Sequence, residues 1–353
     1  MPDLSEPQFA FLVCQFGAER ILRQQFSKQD SDFRLAFSRP GLITLKRGKS
    51  GENADSSLET WEPPQGLLIR HSGFGLGQVK GEIAEELVDK TLEITGSDWD
   101  AFHVFPRDRT LPGSQGFEPG PSEISKIVAE NFQKKLPASS TTIQTNEAAP
   151  SKILDIVLVE PNHWLIGYHF ATEVNARWPG GVFPVPPPAR MISRAYLKMA
   201  EALAWSELPV QPGDWIVEIG SAPGGASQRL LDLGLNVCGV DPAEMDPAIE
   251  NHARFEHWRS KSNAIKRKRY SKFRWLAADA NVAPNYTLEA VEDIVTYSTS
   301  RFQGLLLTVK LTSYDLIEQM DHYLERVHSW GFSRVDARQL SYNRHECCIA
   351  ALR

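Results

Sequence analysis

Asp214-Trp-Ile-Val-Glu-Ile-Gly220-Ser-Ala-Pro-Gly-Gly225 is a short apolar strand that runs straight into a glycine turn. Helical sequence follows over 225–233, and then a second strand, Asn236-Val-Cys-Gly-Val-Asp241, ends on an acid. Strand, turn, helix and strand make one βα unit of a parallel sheet. The pattern predicts further strands at 273–279 and 304–311 and helices at 287–300 and 314–330. Two closing strands, 334–340 and 346–353, flank a short polar turn. The expected architecture is α/β: a doubly wound, Rossmann-like sheet whose final pair supplies an antiparallel last strand.

The chain before this region reads differently. A proline-rich joint, Pro184-Val-Pro-Pro-Pro188, separates the two parts of a 353-residue chain, which is long enough for two domains. Strands are expected at 9–14, 41–46, 66–70 and 153–159, and helices at 18–26 and 83–88. A Pro/Gly-rich stretch at 106–121 and a Ser/Thr/Ala-rich one at 136–150 read as loops. Short alternating elements without a run of parallel βα units fit a smaller α+β domain over 1–180, with the doubly wound domain over 185–353.

Composition excludes several classes. Hydrophobic content of 42% and charged content of 23% are those of a globular protein. No apolar run approaches the ~18 residues of a membrane span. The beginning of the chain has no signal-peptide pattern. Four cysteines, Cys14, Cys238, Cys347 and Cys348, show no zinc-type spacing. The expectation is a reduced, cytoplasmic, metal-free protein without a membrane partner, and a monomer. Net charge is −6, yet Asn251 to Trp275 carries nine Lys or Arg residues against Glu256 alone. Arg254, Arg259, Lys266, Arg267, Lys268, Arg269 and Lys272 are candidate RNA contacts, with interleaved aromatics as candidate stacking platforms.

The turn Gly220-Ser-Ala-Pro-Gly-Gly225 is neither Gly-x-Gly-x-x-Gly nor a P-loop, so a dinucleotide pyrophosphate is disfavoured. Backbone donors in such a turn can hold the amino-acid end of S-adenosylmethionine, and Asp241 is placed to accept from ribose hydroxyls. Lys198, Asp279, Lys310 and Glu346, each beside an element of this fold, form a lysine-aspartate-lysine-glutamate set. A ribose hydroxyl must lose its proton as it attacks a methyl group. Two lysines interleaved with two acids make a proton-accepting site, in which partial burial and the second lysine lower a lysine's pKa while a carboxylate raises it and fixes the amine's direction. Amino methylation would need an Asp/Asn-Pro-Pro-aromatic turn where Asp279-Ala-Asn-Val stands, and cytosine C5 chemistry would need a Pro-Cys that the sequence lacks.

Ser193-Arg-x-x-x-Lys198, Pro223-Gly-Gly225, Val240-Asp-Pro-Ala-Glu-Met-Asp246, Val309-Lys310 and Arg344-His-Glu346 resemble the FtsJ-like ribose 2′-O-methyltransferases. The fuller resemblance is to the large-subunit ribosomal RNA methyltransferase M family. It extends loosely to Cys14-Gln-Phe-Gly-Ala-Glu19 and Gly167-Tyr-His-Phe170. It implies a class I S-adenosylmethionine methyltransferase domain behind a THUMP-type RNA-binding region, acting on a cytidine ribose of 23S rRNA or its precursor. Carried over by position, it makes Lys310 the proton acceptor, completed by Lys198, Asp279 and Glu346. Ser193, Gly220, Ala222, Pro223, Gly224, Gly225, Asp241 and Asp279 would contact the cofactor. The family's third-strand acid near the adenine has no clear counterpart, Glu256 being the nearest. An RNA-binding protein with a degenerate methyltransferase domain is the alternative. An NAD-dependent oxidoreductase is a third reading, opposed by the glycine spacing.

Overall fold

A computed structural model describes residues 7–27, 33–47, 61–136, 151–311 and 314–353. Most of the Ser/Thr/Ala-rich stretch, from 137 on, lies outside them. The chain forms two compact units, Met1–Pro184 and Val185–Arg353.

The first unit runs β1 (Phe9–Val13), α1 (Glu19–Phe26), β2 (Phe33–Arg39), β3 (Leu42–Arg47), β4 (His71–Lys80) and α2 (Ala84–Thr95). It continues with β5 (Ala101–Pro106), α3 (Glu123–Lys135), β6 (Ser151–Glu160) and β7 (His163–Ala171). Seven strands pair in the order β2-β3-β1-β4-β7-β6-β5. All neighbours are antiparallel except β5 and β6. Phe102, Phe132, Leu154 and Trp164 are fully buried where α2 and α3 pack on the sheet.

The strand expected at 66–70 is instead a turn, closed by the Ile69 amide donating to the Gly66 carbonyl at 3.0 Å. Leu68 and Ile69 are buried, and Arg70 explains why the backbone stops there. The guanidinium donates twice to Asp108 at 2.8 Å and once to the Gly180 carbonyl at 2.9 Å. The strand begins one residue later, as β4, whose sequence His71-Ser-Gly-Phe-Gly-Leu-Gly hides it behind three glycines. Two of them are there for room: a Cβ on Gly73 would stand 2.5 Å from the Phe11 ring, and one on Gly75 2.1 Å from the Phe9 ring.

The second unit runs α4 (Ala195–Ser206), β8 (Trp215–Ile219), α5 (Gly225–Asp232), β9 (Asn236–Val240), α6 (Pro247–Glu250) and β10 (Phe255–Trp258). Then come β11 (Trp275–Ala278), α7 (Pro284–Val295), β12 (Gly304–Lys310), α8 (Met320–Ser329), β13 (Arg334–Arg338) and β14 (Glu346–Leu352). The strand order is β10-β9-β8-β11-β12-β14-β13. The first five are parallel, and β14 is antiparallel to both its neighbours. This is the doubly wound sheet with an antiparallel last strand. The chain moves outward from β8 to β10, then crosses to β11 on the other side of β8. The C-terminal ends of β8 and β11 flank that switch point, where open sheets of this type bind ligands.

Two expectations are corrected here. The third strand, β10, lies inside the basic segment, where alternating charge disguised it. The helix expected at 314–330 is a 3₁₀ turn over Tyr314–Gln319 followed by α8.

Gly73→Ala should lower unfolding free energy by about 1–3 kcal/mol in urea melts, because a buried ring and the Tyr168 carbonyl have to give way. Gly77→Ala, whose Cβ would meet only the Ile94 side chain at 3.9 Å, should be close to neutral.

Candidate active site

Gly220 ends β8 with φ +81°, and a Cβ on it would stand 2.7 Å from the Asp279 carbonyl, so the turn is pressed against the end of β11. Gly224, at φ +115°, is the N-cap of α5, and the Ala222–Pro223 peptide is cis. A Cβ on Gly225 would fall 2.1 Å from Ser193 Oγ, which puts Ser193 directly on the helix start. Asp241, just past β9, accepts from the Ala222 amide at 3.2 Å and the Ala243 amide at 2.8 Å. A cavity of about 680 Å³ opens over these strand ends, lined by Gly220, Ala222, Asp241, Asp279, Asn281 and Tyr286 among others. Its far wall is Ser260 to Asn263, the segment leaving β10.

Beside the cavity the four charged residues meet. Lys310 Nζ donates to Asp279 Oδ1 at 2.9 Å and to Glu346 Oε2 at 2.5 Å. Lys198 Nζ lies 3.4 Å from Asp279 Oδ2 and is ion-paired with Glu346 Oε1. Each carboxylate therefore bridges both ammonium groups. The register makes this unavoidable, since Lys310 and Glu346 are Cα partners across β12 and β14. Asp279 follows β11, the parallel neighbour of β12. Lys198 comes from α4, which Glu201 fixes in place. That carboxylate is buried and accepts from the Ser341 amide at 2.9 Å and the Tyr342 amide at 3.0 Å. Its spacing from Arg194 and Lys198 suggests an exposed salt-bridge ladder, but the helix turns it into the core.

The geometry decides between the opposing influences on Lys310. Burial works to lower the Lys310 pKa, but Asp279 and Glu346 together outweigh it and raise the group above its ordinary value. Burial likewise favours a neutral Asp279, yet Lys198 and Lys310 hold its carboxyl below the usual range. At neutral pH Lys310 is therefore an ammonium and Asp279 a carboxylate.

Glu218, on β8, carries a signal that went unread: an acid inside an apolar strand, two residues before the glycine turn. It is 2% exposed and accepts from the Ser227 hydroxyl at 2.5 Å. Burial pushes its carboxyl up to about 8, against the Ser227 hydrogen bond and with help from Asp279 and Asp241.

The basic segment is mostly occupied with its own fold. Arg254 donates to the Leu231 carbonyl, Arg267 to Asp293, and Arg259 to Glu244. Lys272 pairs with Glu256 at 2.6 Å, and Arg269 lies 4.0 Å over the Trp258 ring. Trp258, Tyr270, Phe273 and Trp275 are buried, so they are core and not stacking platforms. Lys266 and Lys268 remain exposed. Glu256 turns to Lys272 and Trp258 Nε1 instead of the cavity, whose wall there is the polar segment 260–263. All four cysteines are free and buried. Among the described residues no helix is long and apolar enough to cross a membrane.

Glu218→Gln tests the buried acid. The folded protein keeps a proton that the unfolded chain releases between pH 4.5 and about 8, so this contribution is full below pH 4.5 and is lost as pH rises through 8. The stability of the variant relative to wild type should therefore climb by a few kcal/mol, on the order of 1.4 per pH unit, between pH 5 and 8 in urea melts and level off above that.

Residues 191–320 match the FtsJ-like methyltransferase family, a stretch that includes Ser193, the glycine turn, Asp241, Asp279 and Lys310. The chain is 28% identical over 180 residues to the ribosomal RNA large subunit methyltransferase M of Halorhodospira halophila, covering 50% of this chain and 51% of that one. It is 25% identical over 211 residues to the protein of the same name from Laribacter hongkongensis, covering 57% and 56%. The chain thus spans about half the length of the curated relatives it matches. A solved structure of the Methanococcus jannaschii fibrillarin pre-rRNA processing protein covers 59% of this chain and 84% of its own at 13% identity, with a TM-score of 0.37. At that level the strand order of this chain, and not the neighbour, defines the fold.

Proposed function

We propose that the FtsJ-like unit transfers a methyl group from S-adenosylmethionine to a ribose 2′-hydroxyl of large-subunit ribosomal RNA, in the cytoplasm. The observation that carries the reading is the Lys198-Asp279-Lys310-Glu346 quartet, held at the C-terminal edge of the sheet beside the large cavity. The relatives named for ribosomal RNA methylation support the substrate class.

The residues present fit the cofactor. Gly220 and Ala222 of the turn line the cavity, which is large enough for a nucleoside carrying an amino acid. Ala222, Pro223, Gly224 and Gly225 would bring backbone groups to the amino-acid end, with Ser193 behind them. Asp241 would accept from the ribose hydroxyls, and the 260–263 segment would face the adenine. When bound, S-adenosylmethionine supplies a sulfonium methyl group as electrophile.

The chain's own work is to hold the acceptor hydroxyl and remove its proton. Lys310 Nζ is the proton acceptor, aimed by the two carboxylates that grip it. As an ammonium it first has to give up a proton, and its carboxylate partners oppose that loss. A cation brought close to Nζ works in the opposite direction and lowers the pKa. Lys198 neutralises the same carboxylates from the other side and so limits how tightly they hold the Lys310 proton. The assembled quartet supports an active enzyme over a degenerate RNA-binding domain. Lys261, Lys266, Lys268 and Arg274 are exposed cations of the basic segment available to phosphates.

Lys310→Ala should bind S-adenosylmethionine within a few-fold of wild type by calorimetry while losing transfer by about 10²–10⁴-fold. Full transfer activity in that variant overturns the base assignment. Because the Lys310 pKa lies above its ordinary 10.5, the neutral fraction grows with pH. Single-turnover transfer should therefore rise about tenfold per pH unit between pH 7 and 9, and a flat profile there excludes a lysine base that is an ammonium at rest.

A further inference from the structure

We propose that the first unit contains a zinc site built from His71, Asp155, His169 and His103. Four neighbouring strands of the sheet, β4, β7, β6 and β5, contribute one residue each. His103 and Asp155 are Cα partners, and Asp155 is opposite Gly167, two residues from His169 on the same face. None of the four is more than 4% exposed. Ligand atoms of His71, Asp155 and His169 lie within 4.8 Å of one another.

Hydrogen bonding leaves this cluster incomplete. His71 Nε2 faces Asp155 Oδ1 at 3.2 Å, and His103 Nδ1 stands 3.9 Å from the same oxygen. Neither nitrogen, nor that oxygen, nor His103 Nε2 meets hydrogen-bond geometry with any protein atom. Buried polar atoms in that condition are costly and call for a partner. Around a tetrahedral zinc with bonds of about 2.0–2.1 Å, donor atoms stand about 3.3 Å apart, which is the spacing His71 and Asp155 already have.

His169 is oriented as a ligand would be. Its Nε2 donates to the Ala176 carbonyl at 2.7 Å, which fixes the tautomer and points Nδ1 at Asp155 Oδ2, 2.6 Å away. An imidazole that ligates zinc commonly donates its other N–H to a backbone carbonyl in this way. Zinc binding would displace the proton that Nδ1 shares with Oδ2, which would leave to solvent, and the 2.6 Å gap would open toward the donor spacing of about 3.3 Å. Three imidazoles and one carboxylate suit zinc, whereas magnesium prefers an octahedral oxygen shell. A route in exists: a cavity of about 300 Å³, lined by Trp61, Gln65, Ser72, Phe74, His169 and Phe170, reaches the cluster through His169. Such an ion would tie four strands together, among them the parallel pair β5 and β6. The sequence gives no hint of it, because the ligands come singly from four strands between positions 71 and 169.

The test uses the full chain, stripped with chelator and dialysed against Zn²⁺, Co²⁺ or Mg²⁺. The expected result is one Zn²⁺ per chain by elemental analysis, a higher melting temperature with Zn²⁺ but not with Mg²⁺, and the intense visible bands of tetrahedral Co²⁺. Asp155→Asn and His103→Gln, each shown to be folded by near-UV circular dichroism, should weaken zinc binding by about 100-fold. Wild-type protein that is folded and takes up no zinc, or gives only the weak bands of octahedral Co²⁺, overturns the proposal in favour of a purely hydrogen-bonded cluster. Undiminished binding in a folded variant overturns it as well, by placing the metal elsewhere. Should Asp155→Asn fail to fold, His103→Gln and the cobalt spectrum of wild type decide the question.

Discussion

The antiparallel pairing of β14 with β12 is the constraint on which the second unit's chemistry depends. In a sheet of parallel strands, only strand ends gather at the ligand-binding edge. Reversing the last strand brings its beginning to that edge as well. Glu346, the first residue of β14, is thereby set opposite Lys310, the last residue of β12. Three members of the quartet owe their positions to the sheet, and Lys198 owes its position to the anchoring of α4 by Glu201. Four charges this near to burial would be costly singly. Together they neutralise one another, and each carboxylate oxygen that faces the centre has an ammonium beside it.

The glycine turn is mechanically part of the same assembly. Gly220 packs on the Asp279 backbone with no room for a side chain, and the Asp279 amide donates to the Ile219 carbonyl at 3.0 Å. A displacement of the turn would therefore move the Asp279 carboxylate and with it the quartet. Ser193 joins the two from the other side, lying on Gly225 and five residues before Lys198. Positioning to a fraction of an ångström is what such a reaction requires of its scaffold.

Much of this was legible in the sequence because it is local. The strand-turn-helix at 214–233, the acid ending β9 and the lysine ending β12 each follow from patterning over a few residues. What was hidden depends on distant partners. β10 sits among nine basic residues whose aromatic neighbours face inward, and the charge pattern spoke louder than the strand. Glycines concealed β4 because the rings of Phe9 and Phe11, far away in sequence, fill the space above them. The sign of the Lys310 pKa shift was undecidable for a similar reason. It depends on how tightly two remote carboxylates grip the amine, and spacing carries no information about distance. Glu201 looked like a surface charge until the loop before β14 gave it two amides to bind.

Ribose methylation of large-subunit ribosomal RNA is tested most directly by a map of 2′-O-methyl positions in that RNA from cells with and without the gene. The prediction is one ribose methylation that disappears with the gene and returns when the chain is supplied again. An unchanged map, with every 2′-O-methyl group still in place, would contradict it.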